Sequence, residues 1–219
     1  MRAYDVVTFD CYGTLIDWES GIAEAFARAG VRAPRADIIR LHAAHEPIVE
    51  AEAYRSYRDV LAEVARRVLH ELGEPARAAS FLPDSLPSWR PFADTVPGLR
   101  RLAGAGVRLG ILSNIDDELV ALTRRHFDDV AFDFTVTAAQ VKSYKPAPGH
   151  WHAARPLVGE GARWLHAAQS YFHDVQPARA LGLPTAWVNR KAEAPLDAGR
   201  ATHEVADLAG LADLVVRAA

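Results

Sequence analysis

Asp10 closes a short apolar, β-rich run, Val6, Val7, Thr8 and Phe9, and a Gly-containing turn, Cys11-Tyr12-Gly13-Thr14, follows it. In open parallel sheets, ligands bind in the crevice beyond the carboxyl ends of the strands. An acid placed there serves as nucleophile, base or metal ligand, and the N–H groups of the turn suit a carboxylate or phosphate oxygen. By itself such an aspartate reads equally well as the cap of the next helix. The other strand ends tip the reading toward chemistry. Leu112-Ser113-Asn114 ends a second run with a hydroxyl and an amide, Lys142 and Lys145 follow a third, and His173-Asp174 follows a fourth. An aspartate, a Ser-Asn pair, a lysine and a second aspartate at successive strand ends can converge on one crevice.

The elements that would position them are legible as continuous apolar runs, the pattern of strands buried on both faces. After the first run come Val107–Leu112, Phe134–Thr137, Trp164–Ala168 and Thr185–Val188, with helix-like stretches such as Asp117–His126 and Pro177–Leu181 between them. Strands alternating with helices predict an α/β fold with a parallel sheet. The stretch 17–92 breaks the alternation. It is rich in Ala, Glu and Arg, and Val60, Val64, Val68 and Leu72 recur at helical spacing until Gly73 and Pro75. We therefore expect one α/β core, residues 1–16 and 93–219, interrupted by a helical insertion over 17–92. A last helix over Leu208–Val216 closes one face of the sheet, and Trp18 packs where core and insertion meet.

Composition narrows the partners. A chain of 219 residues with net charge -3 has no cationic excess for nucleic acid. No apolar run is long enough for a membrane span, and no signal peptide is legible. The single cysteine, Cys11, rules out an internal disulfide and agrees with a reducing compartment. The expectation is a cytoplasmic protein acting on a small molecule, and its Ala and Arg richness points to a bacterial source. His42 and His45 lie three apart, but two ligands without a third do not make a metal site.

The order FDCYGTL, ILSN, YKP and HD, followed by ALGLPTAWVNR, resembles the four signature motifs of the haloacid dehalogenase superfamily, with closest similarity to the (S)-2-haloacid dehalogenases of type II. The resemblance implies a doubly wound, Rossmann-like parallel-sheet core with an inserted α-helical cap domain. It also implies roles. Asp10 is the nucleophile that forms a covalent ester, and Thr14 orients it. Ser113 and Asn114 bind a substrate oxyanion or the leaving group. Lys145 neutralises charge beside Asp10, and Asp174 orients the lysine and a hydrolytic water or ligates a metal. Tyr12 stands where phosphatases of the superfamily carry a second aspartate, which protonates a leaving alkoxide. A halide needs no such proton. The implied reaction is thus hydrolytic dehalogenation of short 2-haloalkanoic acids without metal or other cofactor. The alternatives are a magnesium-dependent phosphatase with Asp10 and Asp174 as ligands, and a non-catalytic small-molecule-binding relative. A homodimer is expected by the same resemblance.

Three departures concern the substrate. The cap arginine of the family falls on Leu41, which leaves its neighbour Arg40 as the candidate and Arg55 and Arg58 as alternatives. Trp151 replaces a tyrosine six positions after the lysine. The fourth motif reads Gln169-Ser170-Tyr171-Phe172-His173-Asp174, with Tyr171 in the place of an asparagine and His173 beside the acid. The expected substrate contacts are therefore Tyr12, Arg40, Ser113, Asn114, Trp151 and His173.

Overall fold

The computed structural model describes residues 2–127 and 130–216; residues 1, 128–129 and 217–219 of the expected core lie outside the described residues. Six parallel strands form one sheet: β1 Val6–Phe9, β2 Arg108–Ser113, β3 Phe134–Thr137, β4 Trp164–Ala168, β5 Thr185–Val188 and β6 His203–Val205. Their order is β3-β2-β1-β4-β5-β6, so the chain departs from β1 in both directions and the crevice at the switch point opens beside Asp10. Every residue of β1, β4 and β5 is buried, as their apolar runs predict. The sequence did not announce β6. It is a short, half-exposed edge strand held by its pairing with β5, Ala186 against His203 and Val188 against Val205.

Six helices flank the sheet: α5 Thr95–Gly104, α6 Asp117–Thr123, α7 Ala138–Val141, α8 Gly149–Val158, α9 Gln176–Ala180 and α10 Leu208–Val216. The expected helix over Asp117–His126 tightens after Thr123 into a 3₁₀ turn, Arg124–Phe127. On α5, Gly98 lets α10 approach; a Cβ there would lie 2.7 Å from that of Leu208.

The stretch between β1 and α5 is helical: α1 Trp18–Arg28, α2 Arg35–Glu50, α3 Tyr57–Glu71 and α4 Phe81–Ser85. Val60, Val64 and Val68 form the buried stripe of α3, Leu72 is its C-cap, and Gly73 takes the left-handed conformation (φ 66°) that ends many helices. The chain leaves and re-enters the sheet along paired segments. Ile16 bridges Pro91, the Asp17 N–H donates to the Arg90 carbonyl at 2.9 Å, and the Phe92 N–H to Leu15 at 3.1 Å. Arg190 braces this crossing, donating to the Thr14 carbonyl and to both oxygens of Asp94. The Asp116 carboxylate accepts from the first N–H groups of α3, Tyr57 at 3.0 Å and Arg58 at 2.9 Å, satisfying donors that a helix start leaves open. One hydrophobic cluster runs from Val7 and Phe9 through Ile22 and Phe26 to Val60 and Val64, so sheet and insertion share a core. Among the described residues, no helix is long and apolar enough to cross a membrane.

Candidate active site

Lys145 organises the crevice. Its side chain is 1% exposed, and its ammonium donates to Asp10 Oδ1 at 2.9 Å, to Asp174 Oδ1 at 2.6 Å and to the Leu112 carbonyl at 2.9 Å. An ammonium has three hydrogens, and all are used. The loop carrying Lys145 is clamped by Asn114, whose Oδ1 accepts from the Lys145 N–H at 2.7 Å and whose Nδ2 donates to the Lys145 carbonyl at 3.1 Å. Thr14 donates to Asp10 Oδ2 at 2.9 Å and accepts from the Gln169 N–H at 2.9 Å, which ties the turn after β1 to the end of β4.

Behind Asp174 lies a buried relay. His166 Nε2 is 2.9 Å from Asp174 Oδ1, and His166 Nδ1 is 2.9 Å from Thr8 Oγ1, which accepts from Trp164 Nε1 at 2.8 Å. A hydroxyl that accepts from the indole turns its own proton to Nδ1, which leaves the imidazole Nε2–H to donate to Asp174. Asp174 Oδ2 and the buried Ser113 hydroxyl have no hydrogen-bond partner among the described residues, and both residues line the cavity above Asp10.

The electrostatics follow from one cation serving two buried acids. Burial pushes the Asp174 carboxyl up, but Lys145 and His166 together outweigh it and hold it at about 2. For Asp10, burial is the largest influence and, with the charge on Asp174, it outweighs Lys145, so its carboxyl stands above the ordinary range. Burial disfavours the charged form of Lys145, yet the two carboxylates raise its pKa above that of a free lysine.

The cavity measures about 70 Å³. At roughly 10–15 Å³ for each water-sized group, it suits a molecule of about five to seven heavy atoms. Tyr12, Trp18, Ile22 and Trp89 make an apolar wall, and His42, Glu46 and Glu50 from α2 with Tyr57 from α3 make the roof. Trp89 reaches the wall because Gly21 leaves room; a Cβ there would lie 2.3 Å from the indole. A larger hollow of about 1100 Å³ opens near Tyr4, Arg163 and Pro184, at the amino ends of the strands and away from these residues.

Asp10, Tyr12, Ser113, Asn114, Lys145, His173 and Asp174 all border the cavity, with Thr14 directly behind Asp10. Tyr12 presents its ring, while its hydroxyl is engaged with Thr123 at 2.7 Å. Asn114 is a clamp for Lys145 with its second amide hydrogen directed at Glu50, so it has no donor left for a leaving group. Two expected contacts are corrected. Arg40 is two-thirds exposed and paired with Asp37 at 3.2 Å. It lies two positions before His42 on α2, about 200° around a helix of 3.6 residues per turn, so it faces away from the cavity. Trp151 is fully buried in a second core cluster with Val6, Leu112 and Val136, its ring edge-on to His166 at 5.6 Å, and it does not reach the cavity. The alternatives Arg55 and Arg58 are engaged with Glu52 and Asp84 near the surface. His45 turns to Glu71 while His42 faces the cavity, so they share no ligand.

Sequence reading missed the roof and the relay. His42, Glu46 and Glu50 recur at four-residue spacing, one stripe of a helix, and His166 is a lone polar residue in a buried strand; both signals were present. Asp10 and Asp174, the ligands expected in the magnesium reading, both hold the Lys145 ammonium through Oδ1. Among the described residues, no three His, Cys, Asp or Glu side chains group to hold a metal ion.

A family profile described as haloacid dehalogenase-like hydrolase matches residues 4–182. The (S)-2-haloacid dehalogenase of Pseudomonas sp. (strain YL) is 27% identical over 224 residues, 97% of this chain and 95% of that enzyme. The (S)-2-haloacid dehalogenase of Pseudomonas putida is 31% identical over 132 residues, and that alignment spans 58% of this chain and 56% of the relative. The structure of L-2-haloacid dehalogenase from Xanthobacter autotrophicus with chloropropionic acid covalently bound has the same fold, with a TM-score of 0.84 at 22% identity over 99% of this chain and 100% of that one. Since the profile runs through every strand end that builds the crevice, the chain belongs to the haloacid dehalogenase-like hydrolases.

Proposed function

We propose that this hydrolase works through an ester on Asp10 and releases halide from short 2-haloalkanoic acids. The observation that carries the reading is the Lys145 ammonium held between Asp10 and Asp174, with Tyr12 in place of a second carboxyl. Lys145 and Thr14 fix the Asp10 carboxylate, one on each oxygen, so it meets the substrate already oriented. An Asp10 oxygen attacks C2, the carbon–halogen bond breaks, and the halide leaves with the bonding pair. Water then attacks the Asp10 carboxyl carbon, and its oxygen stays in the regenerated carboxylate. Asp174, its Oδ2 unpartnered, holds that water. The products are the 2-hydroxy acid, halide and a proton, and no leaving-group acid is required. Residues 17–92 form the cap that closes the crevice and excludes water.

The cavity's size and the relatives named (S)-2-haloacid dehalogenase support the substrate class. The test is halide release from (S)- and (R)-2-haloacids with chelator present, with Asp10→Asn as control and a single turnover in ¹⁸O-water. Release by the wild type alone, with label in Asp10, is expected. Label in the product with none in Asp10 refutes the ester, and absence of halide release refutes the substrate class.

A further inference from the structure

Among the described residues that line the cavity, Lys145 is the one Lys or Arg side chain, and all three of its hydrogens are engaged. The same lining holds four acids: Asp10, Glu46, Glu50 and Asp174. An anionic substrate therefore finds no free cation, and an ionised acid in the roof would repel it. Glu46 accepts from the Tyr57 hydroxyl at 2.6 Å. Glu50 has no partner of that quality. Its side chain is 6% exposed, its oxygens lie 3.3 and 3.5 Å from Asn114 Nδ2, and His173 Nε2 is 3.6 Å away. Those contacts are long beside the 2.6–2.9 Å bonds around Lys145. Ionised, this carboxylate would be poorly compensated; protonated, it gains a donor.

We propose that Glu50 meets the carboxylate of the substrate as a carboxylic acid, donating the hydrogen bond that no cationic side chain in the cavity is free to supply. The inference rests on the 2-haloacid reading above. Every titratable neighbour bears on it. Glu46 and His42 line the same space from α2, Tyr57 from α3, Glu52 and Tyr54 from the segment between them, Asp10 and Tyr12 from the end of β1, Lys142, Tyr144 and Lys145 from the loop before α8, and His173 and Asp174 from the turn after β4. Burial pushes the Glu50 carboxyl well above the ordinary range and the Glu46 charge adds to this, while Lys145 and Asn114 pull the other way. Glu50 also borders an outer groove lined by Lys142, Tyr144 and His173, so it stands between that groove and the cavity. Ser170 accepts from the His173 N–H and turns its proton to His173 Nδ1 at 3.1 Å, which presents Nε2–H to Glu50.

Calorimetric titration with propionate, an unreactive carboxylate, from about pH 6 to about pH 10 in buffers of different ionisation enthalpy separates this from the catalytic reading. For the wild type, Kd is constant on the acid side and then rises toward tenfold per pH unit, and proton uptake per propionate climbs from zero toward one over the same interval. Glu50→Gln, which keeps a neutral donor, binds within about threefold of the best wild-type Kd, with no pH dependence and no uptake. The inference is overturned if wild-type Kd is flat across the range, if Glu50→Gln keeps the wild-type pH dependence, or if propionate does not bind. Should the variant fail to fold, the same titration of Asp10→Asn, which removes the other raised carboxyl, decides it: a pH dependence lost with Asp10 overturns the inference. Halide release from a neutral 2-haloamide but not from the haloacid would leave Asp10 as nucleophile and remove the role of Glu50.

Discussion

The floor and the roof of the crevice are built on different terms. On the floor, the Lys145 hydrogens, Asp174 Oδ1 and both oxygens of Asp10 are engaged, at 2.6–2.9 Å, by groups from four strand ends. In the roof, both ring nitrogens of His42 lack a partner among the described residues, and Glu50 has only long contacts. Preorganised charge is what a reaction needs where charge moves, because nothing has to reorganise at that moment. Unsatisfied groups are tolerable where the missing partner is the substrate. On the function proposed above, the floor carries the reaction and the roof the recognition.

Breaking the floor should have the largest effect. Lys145→Met leaves Asp10 and Asp174 buried without their cation, and one-sided loss of a buried pair costs about 3–5 kcal/mol. Urea unfolding at neutral pH should register that loss and halide release should vanish. With the cation gone, the folded-state pKa of one of the two acids rises above its unfolded value. The deficit therefore shrinks as pH falls through that raised pKa and the acid takes a proton. A midpoint unchanged at neutral pH would mean that Lys145 does not bind the two acids together.

A smaller break tests the relay. His166→Phe removes the donor behind Asp174 and leaves the Thr8 hydroxyl proton without an acceptor, a loss of about 1–3 kcal/mol. Attack by Asp10 should persist while hydrolysis of the ester slows, so a covalent adduct accumulates and intact-protein mass spectrometry detects it. Equal slowing of both steps would make His166 a packing residue only.

The smallest effect sharpens the contrast from outside. Arg40→Ala removes an exposed ion pair with Asp37, and pairs of that kind contribute about 0–1 kcal/mol. Propionate binding and the unfolding midpoint should both stay near wild type. A marked loss of propionate affinity would show that α2 turns its other face to the substrate.

Much of this was legible from the chain. A strand buried on both faces reads as an unbroken apolar run, and the residue after it stands at the carboxyl edge of the sheet; Asp10 and Ser113 are found that way. Gly73 marks the end of α3 for an equally local reason, a backbone conformation that other residues rarely adopt. The strand β6 was hidden because three half-exposed residues at an edge carry no period, and their pairing with β5 comes from elsewhere in the chain.

Local pattern, then, determined the order of strands and helices, the acids and the lysine at the strand ends, and the absence of a second carboxyl at Tyr12. Those are properties of residue type and short spacing, which the chain carries before it folds. Tertiary structure alone decided which face of a helix meets the crevice. The stripe His42, Glu46 and Glu50 looks like a solvated face in sequence, and only packing of α2 against α3 and α1 turns it inward and Arg40 outward. It also decided that Asn114 clamps Lys145 across 31 residues of chain, that His166 reaches Asp174, and that Trp151 sinks into the core. Each is a choice between two sides of an element, and a period reveals that there are two sides without saying which one will be covered.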